Sequence, residues 1–435
     1  MSNFVLTTDG RSPAKVEAQL RKYLPGLDVR LWPCGPRQAI LRAHIVRAIE
    51  IEYPNIGAGP LLKILGIEDI RPVSDEASVT LLAGRDLLLL PARAVARVAS
   101  AVPELDWHLA AVNAPNAWQL VNGPDNIAWG TVRVGHIDTG YTEHPALGFP
   151  GAPWIDLAQA RTFMPEVPSG EATMFPTELG PGQDNLIGTS AGHGTRMAGT
   201  ICGHAAGAQF FGIAPKVPLV PVRITDSVWI NHAQRPFAQA VKHLIGPAQA
   251  SVINVSLGVF AGTVAAEMKR ALNDAYDAGV ILVCAAGNHV NSVVAPARLA
   301  RTLAVGGVTQ ADAPWAGSSY GPEVDLSAPA AEIRRANTAL PAKYSYRPGG
   351  DGTSYATALT TGAAALWLAH HGASLDAAYP LRWQRVEAFR LLATQTVRTP
   401  SPWQPGSFGS GVLDVEALLN APLPDVLLLQ KAGTA

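Results

Sequence analysis

Residues Val132 to Gly140 read Val-Arg-Val-Gly-His-Ile-Asp-Thr-Gly, an apolar strand running directly into Asp138 and the turn pair Thr139-Gly140. From Thr131 onward, similar apolar segments recur. Val132 to Ile137, Leu219 to Ile224, Val252 to Ser256, Val280 to Ala285 and Thr302 to Val305 are the expected strands. Helical stretches separate or follow them, at His193 to Cys202, Pro236 to Ile245, Val264 to Ala278 and Ser354 to His370. Strands that are apolar almost throughout and alternate with helices imply a mostly parallel sheet covered on both faces. The expected class is α/β, doubly wound. In such sheets functional groups collect beyond the carboxyl ends of the strands, and Asp138 falls at one of those ends.

The first hundred residues have a different character. Ser12-Pro13 is expected to open a helix through about Tyr23, because proline sacrifices no hydrogen bond at the first helical position. Leu87 to Leu90 is an expected strand, and a helix is expected from near Pro91 to just before Pro103. The mixture predicts a small α+β domain over residues 1–104. A polar, turn-rich stretch from Asn113 to Asp125 then leads into the main domain, residues 105–420, and residues 421–435 form a tail with an apolar centre at Val426 to Leu429.

Composition narrows the function classes. Of 435 residues, 48% are hydrophobic and 15% charged, which supplies ample apolar surface to offset the entropy of ordering the chain. Gly (41) and Pro (35) are both abundant, so turns and loops should be plentiful. Lys plus Arg number 33 and Asp plus Glu 34, a formal charge of −1. So flat a balance supplies no long-range field for nucleic acid or an anionic membrane surface, and neither is an expected partner. The amino terminus lacks the basic start and apolar stretch of a secretory signal. No apolar run approaches the roughly 18 residues of a membrane-spanning helix. Cys34, Cys202 and Cys284 are too few and scattered for a disulfide framework or a paired-cysteine zinc site. These features predict a soluble, reduced, cytoplasmic protein.

Three motifs carry the chemistry. The first is Asp138-Thr139-Gly140 at the strand end. The second is Gly192-His193-Gly194-Thr195-Arg196-Met197-Ala198-Gly199, where flanking glycines let other backbone approach an imidazole that can accept and return a proton. The third is Gly352-Thr353-Ser354-Tyr355-Ala356 ahead of an Ala-rich helix, which puts a serine where free N–H groups favour negative charge. Each alone has a plain structural explanation: a turn carboxylate, a histidine at a helix start, an N-cap serine. Together they stand in the order Asp, His, Ser, one of the known chain orders of the Ser-His-Asp triad.

At these residues the chain resembles the subtilases, the subtilisin-like serine peptidases, over roughly Trp107 to Leu419. Gly212-Ile-Ala-Pro215, Asn254-Val-Ser-Leu-Gly258, Ala285-Ala-Gly-Asn288, Ser327-Ala-Pro329 and Gly409-Ser-Gly-Val-Leu-Asp414 extend the likeness. The resemblance implies a subtilisin-type fold and a serine endopeptidase acting on protein or peptide substrates through an acyl-enzyme. By it, Ser354 is the nucleophile, His193 the general base and then acid, and Asp138 the group that orients the imidazole. Asn288 and the Ser354 N–H would hold the oxyanion. Ser256, Leu257 and Gly258 would form one wall of the primary pocket and pair with extended substrate, with Ala286 and Gly287 opposite. For residues 1–104 the resemblance suggests a propeptide-like domain, a folding chaperone or intramolecular inhibitor lying over the cleft, and the alternative is a permanent accessory or partner-binding domain. Two other readings share these motifs: a peptide-maturing subtilase that processes or ligates, and a non-catalytic peptide-binding protein of the same fold. The chemistry requires no cofactor, and the histidines show no metal-ligand spacing. Many members of the family bind structural calcium at loops, but no dense cluster of oxygen ligands marks such a site here. Two departures stand out. Arg196 replaces a histidine usual in the family, and Tyr355-Ala356-Thr357-Ala358-Leu359 lacks the usual proline, so the helix behind Ser354 is expected to be more regular.

Overall fold

The computed structural model describes residues 3–8, 12, 14–18, 32–35, 38–42, 67–72, 106–151, 153–164, 179–186, 190–260, 263–340 and 343–435. Near the amino terminus, β1 (Asn3–Thr8), β2 (Trp32–Gly35), β3 (Gln38–Arg42) and β4 (Ile67–Pro72) form an antiparallel sheet ordered β2-β3-β1-β4. A helical segment at 14–18 falls inside the helix expected after Ser12-Pro13. The continuation of that helix to Tyr23, the strand at Leu87 to Leu90 and the helix from Pro91 lie outside the described residues.

The main domain is organised by a seven-stranded sheet. Its members are β5 (Val134–Asp138), β6 (Arg161–Thr162), β9 (Leu219–Arg223), β10 (Val252–Val255), β11 (Ile281–Ala285), β12 (Leu303–Val308) and β13 (Leu326–Pro329). The short pair β7 (His204–Ala205) and β8 (Phe210–Phe211) stands apart from it. The strand order is β13-β12-β11-β10-β5-β9-β6, with every pairing parallel. Except for β6, each strand is buried along its whole length, which is why they read as apolar runs rather than alternating ones.

Successive side chains leave a strand on opposite faces, and the core divides accordingly. Ile137, Ile253, Val255 and Leu282 pack in one cluster with Phe237 and Leu244 of helix Gln234–Ile245 and Met268 and Leu272 of helix Ala266–Asp277. Val134, Val252, Ile281 and Val283 belong to the other, with Met197 and Ile201 of helix His193–Cys202 and Leu359, Leu366 and Trp367 of helix Thr353–His371. The Thr353–His371 helix is unbroken over 19 residues and buried from Thr353 to Leu368, the regular helix expected where proline is missing. Its threonines are accommodated because Thr357 and Thr360 return their hydroxyls to the carbonyls of Thr353 and Ala356.

Observed strands and helices match the expected spans to within about three residues. The sequence pattern does not reveal the hairpin of β14 (Ile333–Leu340) and β15 (Lys343–Gly350) or the helix Arg382–Gln395. The hairpin carries Arg334, a poor strand signal, because its partners come from elsewhere. The guanidinium donates to the carbonyls of Ala208 and Gln209 and lies over the rings of Phe210 and Tyr346. The tail folds back on the domain: Lys431 pairs with Asp277 at 2.7 Å and the Ala432 N–H donates to Tyr276 Oη. Of its apolar centre, Leu427 and Leu428 are exposed. Among the described residues, no helix is long and apolar enough to cross a membrane.

Burial of a histidine has a consequence for stability. His108 is 2% exposed, and burial, with the nearby Arg334 charge adding, pushes it down to about 3. The unfolded chain takes up this proton near pH 6.5 and the folded chain does not, so stability falls as pH drops from 6.5 toward 3. At about pH 5 this single group should cost about 2 kcal/mol relative to neutral pH. Urea unfolding at pH 7 and pH 5 should show a smaller acid loss for His108→Leu than for the native chain. An equal loss in both would assign the acid sensitivity elsewhere.

Candidate active site

β5 lies between β10 and β9, and its last residue, Asp138, is fully buried where the chain turns through Thr139-Gly140. The Thr139 N–H donates to Asp138 Oδ1 at 2.7 Å. His193, 1% exposed, is the first residue of its helix and follows Gly192, whose φ is 72°. His193 Nδ1 is 2.7 Å from Asp138 Oδ1. An ionised carboxylate can only accept, so Nδ1 carries the proton and Nε2 is the basic nitrogen of the neutral ring. Burial pushes the Asp138 carboxyl upward. The charge and hydrogen bond of His193, the nearby His136 and the Thr139 N–H outweigh it and hold the group below its ordinary 3.8.

A second buried carboxylate braces this pair. Asp184 accepts from Thr139 Oγ1 at 2.7 Å, from the Gly192 N–H at 2.9 Å and from the Leu186 N–H at 2.8 Å. Thr139 Oγ1 also accepts from the Gly194 N–H at 3.1 Å. The turn after Asp138 is thereby tied to both residues flanking His193. Gly194 is required for this closure, since a Cβ there would lie 2.0 Å from the Gly140 carbonyl oxygen. Sequence reasoning missed Asp184, which sits in a loop with no periodic or local signal. Arg196 is buried beside the same loop and donates to the Ala191 carbonyl at 2.9 Å.

Ser354, 5% exposed, is the second residue of its helix, which packs against the His193 helix. The segment after β10 meets it: Ser256 Oγ donates to the Ser354 carbonyl at 3.1 Å, and Ser354 Oγ donates to the Ser256 carbonyl at 3.4 Å. Asn288 follows β11. Its Oδ1 accepts from the Thr353 N–H at 2.9 Å and from Thr353 Oγ1 at 2.8 Å, which fixes the amide and leaves Nδ2 as the donating end. Beside Gly352, whose φ is 144°, the position a Cβ would take is 3.3 Å from Asn288 Nδ2 and 3.7 Å from the Ser354 nitrogen. Two nitrogen donors therefore border one small space.

A cavity of about 30 Å³ adjoins Ser354 and Asn288. Ser256, Leu257 and Gly258 line one part and Gly287 another. Ala285 lines it as well, whereas Ala286 is fully buried in the core beyond the sheet, because alternate residues of an extended segment face opposite ways. Thr353 lines it too, and Val228, Trp229 and Val294, which complete the lining, carry no sequence signal, since they arrive from separate loops. Both main-chain groups of Gly258 are already engaged, its N–H with the Val228 carbonyl and its carbonyl with the Ile230 N–H. An extended peptide could donate to the second lone pair of the Gly258 carbonyl, but could bond its N–H only by displacing Val228. Among the described residues, no group of three or more His, Cys, Asp or Glu side chains is gathered as a metal site.

Comparisons with known proteins agree with this architecture. A family model described as the Subtilase family matches residues 130–411, well over half of the chain. The chain is 31% identical over 265 residues to the subtilisin of Bacillus pumilus, a match covering 57% of this chain and 82% of that protein. It is 33% identical over 218 residues to subtilisin NAT of Bacillus subtilis subsp. natto, covering 46% of this chain and 51% of that protein. Among solved structures, MycP1 with its N-terminal propeptide removed covers 73% of this chain and 98% of its own, at 24% identity and a TM-score of 0.54. A protease from Pseudoalteromonas arctica PAMC 21717 covers 72% of this chain and 96% of its own, at 23% identity and a TM-score of 0.56. Those two likenesses concern the fold. With the family matched over the whole α/β sheet, the chain belongs to the subtilase family and is a subtilisin-like serine protease.

Proposed function

We propose that the chain is an endopeptidase that hydrolyses peptide bonds through an acyl-enzyme on Ser354. The observation that carries this reading is the 2.7 Å contact between His193 Nδ1 and the buried Asp138 carboxylate, with Ser354 on the adjoining helix. His193 Nε2 takes the hydroxyl proton as Ser354 Oγ attacks the scissile carbonyl carbon. The resulting imidazolium is stabilised by Asp138 and returns the proton to the amine as the C–N bond breaks. Water then repeats the sequence on the ester and frees the acid product. The oxyanion formed at each stage is received by Asn288 Nδ2 and the Ser354 N–H, donors fixed in advance by Thr353 and the helix start.

The cavity beside Ser354 supports a size limit on the residue preceding the scissile bond. Trp229 and Val294 narrow its lining, which fits a methyl or hydroxymethyl side chain better than a phenyl ring.

A serine-directed fluorophosphonate should label the native chain and leave Ser354→Ala unmodified; equal labelling of both would contradict the assignment. Asn288→Ala should label slowly and lose turnover by about 100- to 1000-fold, the loss known for an oxyanion-hole asparagine in a subtilisin. Product masses from a model peptide should show one added water, and a joined product would instead indicate ligation. In a peptide series varied only at that preceding residue, kcat/KM for Ala should exceed that for Phe by at least about 100-fold. Val294→Gly should narrow the difference, and a native preference for Phe would rule out the size limit.

A further inference from the structure

We infer that His136 is a positioning residue that holds the helix start bearing His193 and the helix start bearing Ser354 in fixed relation through one buried hydrogen-bond chain. The inference rests on the reading of those two side chains as the reacting pair. His136 stands on β5 two residues before Asp138 and is fully buried. An imidazole in a strand whose other residues before Asp138 are Val, Gly and Ile is costly unless its nitrogens are satisfied. Both are. Nε2 lies 3.0 Å from the Gly194 carbonyl oxygen, beside His193, and Nδ1 lies 3.3 Å from Asn254 Nδ2 on the neighbouring strand β10.

With the Asn254 amide nitrogen facing the ring, the donors and acceptors balance as follows. A carbonyl can only accept, so His136 Nε2 carries the hydrogen; an amide nitrogen can only donate, so Nδ1 is bare. On the far side of the same amide, Asn254 Oδ1 accepts from Thr361 Oγ1 at 3.0 Å. Asn254 Nδ2 has two hydrogens and two acceptors, His136 Nδ1 and Ser256 Oγ, the latter at 3.1 Å. Ser256 Oγ passes its own hydrogen to the Ser354 carbonyl at 3.1 Å. The chain thus runs from Gly194 through His136, Asn254 and Ser256 to Ser354, and these three linking side chains are at most 2% exposed.

The same pattern keeps His136 neutral. A proton on Nδ1 would face the Asn254 NH₂ group, and burial also disfavours the charge, although Asp138 Oδ2 is 3.9 Å away and attracts it. The groups facing the ring are Asp138 on its own strand, His193 and Gly194 on the helix, and Asn254 on β10. With His136 neutral, His193 is the one imidazole bonded to the Asp138 carboxylate, beside the Thr139 N–H. A displacement of about 1 Å between base and nucleophile costs on the order of 100-fold in rate, so a tie between their two backbones acts on turnover and not on substrate affinity.

The test compares His136→Leu, which keeps the bulk and removes both hydrogen bonds, with His136→Gln, which retains an N–H donor and an oxygen acceptor on one side chain. Turnover is measured per titrated active site with a small peptide substrate, alongside melting temperature. His136→Leu should lower kcat by about 10- to 100-fold with KM within about twofold, and His136→Gln should recover most of that loss. Ser256→Ala cuts the same chain at its far end, and its effect should be non-additive with His136→Leu. Native kcat in His136→Leu enzyme that still labels at Ser354 would overturn the inference while leaving the proposed function standing. Loss of Ser354-dependent labelling in the native chain would instead remove the reading beneath it. Should His136→Leu fail to fold, Ser256→Ala decides: unchanged kcat overturns the inference, and a drop in kcat at constant KM supports it.

Discussion

The hydrogen bond between Asp138 and His193 places a carboxylate charge where water cannot reach it, and the rest of the site is arranged around the cost of doing so. Removing a lone carboxylate from water is expensive. Here the cost is offset by two short donors to one oxygen, the Thr139 N–H and His193 Nδ1–H, each at 2.7 Å. Charge-assisted bonds of this length are about twice as strong as neutral ones. They also set the tautomer of the imidazole. A ring whose Nδ1 hydrogen is committed to a carboxylate presents a basic nitrogen on its other side, which is the property nucleophilic catalysis by a hydroxyl needs.

Holding that geometry falls to the backbone. Asp184 fastens the turn after Asp138 to Gly192, Thr139 Oγ1 fastens it to Gly194, and Gly194 allows the helix start to close on the Gly140 carbonyl. The parallel sheet supplies the larger frame. β5, β10 and β11 are adjacent, and their carboxyl ends deliver Asp138, Ser256 and Asn288 to one edge. The Thr353–His371 helix then brings Ser354 to that edge. Its first residue, Thr353, holds Asn288 by two hydrogen bonds, so nucleophile and oxyanion donor share one anchor.

What the sequence discloses follows from which forces act locally. The strands are legible because burial on both faces leaves few polar positions, and the three motifs are legible because each combines a reactive side chain with the small residues that close approach demands. Asp184 is silent because its partners, Thr139 and Gly192, acquire meaning only once a loop folds over the turn. His136 is hidden for the same reason, since Asn254 lies 118 residues away in sequence. The assignment of Ala286 to the pocket wall differs by one residue from the lining found, and in an extended segment one residue is a change of face. Arg334 disguises a strand because its aromatic and carbonyl partners belong to other elements.

Proton NMR of histidine-labelled protein tests the central claim most directly, because it observes the hydrogen between Asp138 and His193 itself. At neutral pH the His193 Nδ1–H should appear as a far-downfield, slowly exchanging resonance, and Asp138→Ala should abolish it while the fold persists by circular dichroism. The same resonance surviving in folded Asp138→Ala protein, or missing from the native protein at every pH where it is folded, would contradict the account.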